Sequence, residues 1–186
     1  MICNVLSLLR TIFDIILLRK GPEALPSAPV IFFIAVALWV LSSVGAWISV
    51  DNYTGSTFLV GFLISAVGFI IYALLINAAG KAERIRQSLS AIIACGAVIS
   101  FAVLIVEAVL PLFLGKEHVS AIITIMLLWS VPVEGHIIAR AIDRLWYVGL
   151  VAASTVFIVQ LFLLASLGPV IDPQPPSANE AVAQPA

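Results

Sequence analysis

The sequence predicts an all-α integral membrane bundle of five transmembrane helices preceded by an N-terminal amphipathic helix, and three observations carry that prediction. Hydrophobic residues make up 62% and charged residues 10% of the 186, against roughly 45–50% and about 25% in an ordinary soluble domain. A soluble chain of similar length buries only about 70% of its unfolded surface, so this apolar excess would be left facing water. Five stretches also reach the roughly 20 mostly apolar residues that a helical span requires: residues 29–50, 58–79, 89–114, 119–139 and 145–167. Finally, no alternation of period two recurs along the chain, which sets aside an outer-membrane barrel.

The first element, residues 1–20, differs from the rest. Asn4, Ser7, Thr11 and Asp14 fall three and four apart and form a narrow polar stripe, while Val5, Leu8, Leu9, Ile12, Phe13 and Ile16 cover the remaining surface. Such a helix either lies in the membrane interface, with Arg19 and Lys20 toward phosphate, or packs on the bundle. Arg10 and Asp14 interrupt its apolar run and no small-residue cleavage site follows, so it does not read as a cleaved signal peptide. The three prolines of GPEALPSAP end it and turn the chain into the first span.

Residues 21–168 hold the five spans. The segments DNYTGST, GKAERIRQS, GKEH and RAIDR separate them with turn and charge signals. Orientation follows from the Lys and Arg of the short flanks. With the N-terminus in the cytoplasm, Arg10, Arg19, Lys20, Lys81, Arg84, Arg86, Arg140 and Arg144 fall inside and Lys116 alone falls outside. Five spans then put the C-terminus outside, where residues 169–186 contain no Lys or Arg and read as a disordered tail rich in proline, alanine and polar residues. A net charge of -1 provides no basic field for nucleic acid. Cys3 and Cys95 are too few and too far apart for a disulfide framework or a zinc site.

Small residues four apart occur in three spans, as Gly61 with Ser65, Gly96 with Ser100, and Gly149 with Ala153. They are expected to form close seams between helices, because lipid tails are as apolar as leucine and association must come from packing. Trp146 and Tyr147 are placed as interface anchors at the start of the fifth span.

The segments LLRKGPEALPSAP and WSVPVEGHIIARAI, set in a layout of one N-terminal helix and five spans, resemble a group of small proteobacterial inner-membrane proteins similar in layout to the Yip1-like family. That resemblance implies a bacterial inner membrane, a cytoplasmic N-terminus, a periplasmic C-terminus and a non-enzymatic role in membrane organisation or trafficking. The DLYGP signature of the eukaryotic members is missing, and only Gly21 and Pro22 match it.

Ionisable residues at membrane depth are costly, so each carries a functional hypothesis. Three are embedded by position: Glu107 in the third span, with Glu134 and His136 in the fourth. Helical rise separates Glu107 and His136 too widely for one site. The helix period places Glu134 nearly opposite His136, whereas His136, Arg140 and Asp143 share a face. That row, continued by Arg144, reads as a helix leaving the membrane at its cytoplasmic edge. Pro132 removes one backbone hydrogen bond from the same span.

No HExxH, nucleophile elbow, phosphate-binding loop or dinucleotide glycine pattern occurs, so no enzyme activity, cofactor or metal is called for. The leading expectation is a scaffold or accessory subunit contacting lipid, another membrane protein or a second copy of itself. The alternative is a small transporter or channel using Glu107, Glu134 and His136.

Overall fold

The computed structural model describes residues 5–49 and 55–171, and every regular element among them is helical. An amphipathic helix α1 (Val5–Ile16) is followed by α2 (Pro29–Ser49), α3 (Gly55–Ala78), α4 (Ile85–Val109), α5 (Lys116–Ala141) and α6 (Trp146–Ile171). Helices α2 to α6 are all long and apolar enough to cross a membrane. Each exceeds the roughly 20 residues that hydrocarbon thickness demands. The last helix continues to Ile171, three residues into the stretch assigned to the tail. Cys3, Asn4 and residues 172–186 lie outside the described residues.

Side chains confirm that the solvent around the bundle is not water. Ile48, Leu112 and Phe113 are 76, 77 and 79% exposed, and large aliphatics on all five long helices face outward. Outside lipid, apolar surface of that extent would aggregate. The five long helices therefore make a multi-pass membrane protein that contacts the bilayer.

Neighbours in the chain are not the main neighbours in space. The most extensive contacts join α5 to α6, α2 to α4, α4 to α5 and α3 to α6, whereas α2 barely approaches α3. Aromatic side chains bridge that wider gap. Trp39 stacks on Phe62 with centroids 4.6 Å apart and meets Phe69 edge-on at 5.3 Å. Trp47 and Phe58 make a similar tilted contact at 5.8 Å.

Helix α1 packs on the bundle. Ile12 and Ile15 are fully buried in the core shared with α4 and α5, and Leu8 packs beside them. The Trp129 indole Nε1 also donates to the Ile16 carbonyl at 3.1 Å. Ser7, Thr11 and Asp14 form a second face, while Leu6, Leu9, Phe13 and Leu17 form a third, exposed and apolar. The helix therefore packs on the bundle through one face and presents an exposed apolar face outward.

Helices α1, α3 and α5 end in the same way. A residue in the left-handed region, Leu18, Gly80 or Asp143, follows each helix. The next N–H then reaches back five residues: Arg19 to Asp14, Lys81 to Ile76 and Arg144 to Ala139. This closure satisfies carbonyls that a helix end would otherwise leave bare, and it costs least where glycine supplies the positive φ. Ion pairs tie these ends together. Asp143 meets Lys81 Nζ and Arg84 Nη1, each at 2.7 Å, and Arg84 also donates to the Arg140 and Ala141 carbonyls. This is the charged end of the bundle; the Ser49, Val109 and Lys116 side is the far end.

Candidate functional site: a polar cleft inside the bundle

Burial is distributed unevenly along the helices. In α4 the buried residues run from Ser88 to Ile99, and none from Ser100 onward is buried. In α5 they run from Val131 to Ala141, with Val119 as the single exception among the described residues. Tyr72, Ile76, Ile92, Ile137 and Ile138 close the charged-end half into a continuous core.

The closest helix contact lies in that half. A Cβ added to Gly135 would sit 2.8 Å from Leu150 Cα, and one added to Gly149 would sit 2.7 Å from the Ala139 backbone nitrogen and collide with the Gly135 carbonyl oxygen. Only hydrogen fits at either position. Gly149, with buried Ala153 a turn further along, therefore lies in an α5–α6 seam. Its partner Gly135 was expected beside a Pro132 kink, lining a cavity; the structure places it in this seam instead, because small residues of a span let backbones approach.

Toward the far end the interior opens. One cavity of about 380 Å³ is bordered by Ser42, Ser43, Gly61, Ser65, Ser100 and Glu107. A second, of about 260 Å³, is bordered by Ser65, Gly96, Ser100, Ser130, Glu134 and Gln160. Trp39, Ser65, Ser100 and Leu127 line both, so the two cavities adjoin and together make a cleft along α4. From Ile92 to Glu107 it follows α4 for about 22 Å.

This arrangement corrects the reading of two small-residue pairs. Gly61 with Ser65 and Gly96 with Ser100 border the cleft, and a Cβ on Gly96 would meet nothing within 4 Å. Small residues open space between helices, and whether a neighbouring helix fills it is decided by tertiary packing. Here the serine hydroxyl of Ser65 bonds the Gly61 carbonyl at 2.9 Å, within its own helix.

The inner end of the cleft is set by an interhelical hydrogen bond. Tyr72 of α3, 2% exposed, donates its hydroxyl to Glu134 Oε2 of α5 at 2.5 Å. The pair lies about 9–10 Å from the charged ends of its helices. A phenol donating to a carboxyl oxygen satisfies both groups where water is scarce. Sequence reasoning singled out Glu134 and passed over Tyr72 and Gln160, yet each places a donor within an apolar span, where every donor needs a partner. Gly68 has no room for a Cβ because the Gln160 amide occupies that place.

Glu107 stands near the far end of the same cleft, and its carboxyl makes no hydrogen bond or ion pair with the described residues. The two glutamates thus border adjoining cavities, one each. His136 is not part of it. The Lys20 backbone lies beside the imidazole, and buried Nε2 has no hydrogen-bond partner among the described residues. Pro132 leaves α5 unbroken, and Ser130 donates to the Leu127 carbonyl at 2.7 Å in the turn preceding it.

The edge row also needs correction. His136, Arg140 and Asp143 were expected on one helical face, but α5 stops at Ala141 and Asp143 adopts φ 53. That left-handed turn swings its carboxylate to the α3–α4 junction, where Arg84 and then Lys81 hold it at a pKa of about 2. Arg140 faces Glu23 at 3.9 Å instead, while Arg144 makes no ion pair with the described residues.

No residue group among the described residues could hold a metal ion. No protein-family model, curated protein or solved structure matches the chain.

Proposed function

We propose that this protein is a non-enzymatic solute-binding protein of the carrier class, taking a small cationic or polar solute into the cleft from the far end. The observation that supports this reading is the pair of adjoining cavities, with Glu107 bordering one, Glu134 the other, and Ser65 and Ser100 bordering both. Trp39, stacked on Phe62, borders both cavities. A scaffold acting only through its outer faces gains nothing from cavities bordered by carboxyls, which forfeit the packing that membrane helices rely on.

Eight of the nine Lys and Arg precede or follow spans on the charged side. By the positive-inside bias that end is cytoplasmic, so the cleft opens away from the cytoplasm. In a bacterium with the resembled layout, this is the periplasmic side of the inner membrane. The packed half and the Tyr72–Glu134 bond then close the cytoplasmic route.

Cysteine labelling tests this. In a Cys3→Ser/Cys95→Ala background, Ser100→Cys should react from water with a trimethylammonium methanethiosulfonate about tenfold faster than with its sulfonate counterpart. Adding Glu107→Gln should remove most of that preference. Proteoliposomes should accumulate methylammonium, and Glu134→Gln should reduce the rate while leaving labelling intact. A Ser100→Cys protein inert to both reagents would mean the cleft is filled by lipid or side chains, and the proposal would fail.

A further inference from the structure

At the charged end, outside the cleft, lies a third cavity of about 430 Å³ between the GPEA turn, the start of α4 and the end of α5. Arg84, Arg140 and Arg144 border it, together with Ser88, Glu23 and Asp143. Three guanidinium groups therefore meet two carboxylates. Asp143 is already held by Lys81 as well as Arg84, and Glu23 engages Arg140 only at 3.9 Å. The surplus is positive, and Arg144 carries it without an ion pair among the described residues.

A further observation bears on this charge. The first turn of α4 follows directly on the short helical turn Ala82–Arg84, whose closure leaves the Arg84 and Ile85 N–H groups bonded to the Lys81 and Ala82 carbonyls, so the arginines themselves supply the positive field of the cavity. Independently, Ser88 in the first turn of α4 is 1% exposed, and its Oγ has no hydrogen-bond partner although it belongs to the cavity wall. A buried hydroxyl without a partner costs stability unless something outside the protein supplies one. The hydroxyl and the arginines converge on one space of a size that takes a small anionic group.

We infer that this cavity binds a phosphate group, with Arg84, Arg140 and Arg144 as its charged ligands and Ser88 as the buried donor. Guanidinium forks match the oxygens of a phosphate, which accepts from several donors at once. The phosphate belongs either to a phospholipid headgroup or to a soluble phosphate. Trp146 and Tyr147, exposed beside Arg144, are the residue types that settle at headgroup level, so either source has access. Asp143 stays paired with Lys81 and Arg84, and the loose Glu23–Arg140 contact leaves Arg140 donors for the ligand.

The test uses the full chain in dodecyl maltoside, with the thermal unfolding midpoint read against ligand concentration. Dioleoylphosphatidylglycerol in mixed micelles represents the headgroup, dioleoylglycerol is its phosphate-free counterpart, and inorganic phosphate is compared with chloride of equal ionic strength. A saturable rise with phosphatidylglycerol alone assigns the site to lipid, and a saturable rise with inorganic phosphate as well assigns it to the soluble anion. Arg144→Gln should weaken the effective ligand about tenfold. Arg86→Gln, an exposed arginine of the same helix turn that does not line the cavity, should leave the affinity unchanged. Should Arg144→Gln fail to fold, Ser88→Ala decides the matter. With no partner to lose, it should leave the unliganded midpoint unchanged or higher while weakening the ligand at least about threefold. Equal responses to phosphatidylglycerol and dioleoylglycerol with none to phosphate, or equal losses in Arg86→Gln and Arg144→Gln, would overturn the inference.

Discussion

The two halves of this bundle are made from the same five long helices and solve opposite problems. Near the charged end, glycines bring α5 and α6 into backbone contact, isoleucines fill the space between α3, α4 and α5, and ion pairs fasten the helix ends. Toward the far end the same helices diverge, aromatic side chains span the gap between α2 and α3, and serines and carboxyls face a cleft. In lipid no hydrophobic force draws helices together, so cohesion comes from dispersion contacts and hydrogen bonds. Concentrating those contacts in one half leaves the other free to stay open. The difference between the halves is therefore an economy of packing, and substitutions that exchange their character are the way to examine it.

The largest effect is expected where backbones touch. Gly149→Leu forces four carbons into the place held by the Gly135 carbonyl and the Ala139 backbone. Neither is a side chain able to swing away, so α5 and α6 must separate, at a cost of about 3 kcal/mol or more. Unfolding of the purified protein by added sodium dodecyl sulfate, followed by tryptophan fluorescence, measures it. A midpoint equal to that of the parent would mean that the seam is not what holds this half together.

Next in size is the hydrogen bond at the boundary of the two halves. Tyr72→Phe removes the donor and leaves the Glu134 carboxyl without its partner, which should cost about 1–2 kcal/mol. The double variant Tyr72→Phe/Glu134→Leu should recover part of that loss, because no polar group is then stranded. Strict additivity of the two single changes would show that the bond contributes nothing to the closure of the cleft.

How much of this was legible beforehand differs between the halves for a physical reason. Hydrophobic length placed all five spans, with most ends within about three residues and the start of the third seven residues late, since lipid thickness acts on each helix separately. The polar stripe of α1 was visible for the same reason, as a property of one helix. Partner choice was not, because the pairing of α2 with α4 depends on surfaces that many sequences share. A small residue pair reads identically whether it lies in a seam, like Gly149 and Ala153, or beside a cavity, like Gly96 and Ser100. Asp143 left its expected row because a helix end, unlike a helix face, depends on which residue accepts the left-handed conformation. Tyr72 was missed although donors in apolar spans are scarce enough to be enumerated.

The ion pairs of the charged end should reveal themselves through pH. Asp143 has its pKa lowered from 3.8 to about 2, first by Arg84 and then by Lys81. A carboxylate depressed on folding adds stability above its unfolded pKa, and that contribution disappears as pH falls through the folded value. This group therefore leaves stability level from neutral pH down to about pH 5 and lowers it between about pH 4 and about pH 2. Since the pair is exposed, the effect should shrink in high salt. Asp143→Asn should flatten that acid segment of the unfolding curve. Identical acid profiles in the two proteins would place the cohesion of the helix ends elsewhere.

The smallest effect belongs to the cleft where it enters the packed half, and it is informative because it is small. Gly96→Ala adds a methyl group to α4 at a place where nothing lies within 4 Å. In a packed seam the same change would push a helix away, as the Gly149 contacts show. At Gly96 no neighbour needs to move, and alanine has less backbone freedom to lose on folding, so stability should stay level or rise by less than about 1 kcal/mol. The methyl group does project toward the cleft near Ser100 and Glu134, however, and removes some of its volume. A second substitution, Gly96→Leu, extends the test: its side chain still has space to occupy, so the protein should fold, while labelling of Ser130→Cys from water should fall sharply. If Gly96→Ala destabilises the bundle as Gly149→Leu does, the cleft is packed at this point after all and the contrast between the two glycines collapses. If Gly96→Leu folds and leaves Ser130→Cys freely labelled, water reaches the inner end by another route, and the cleft along α4 is not the passage.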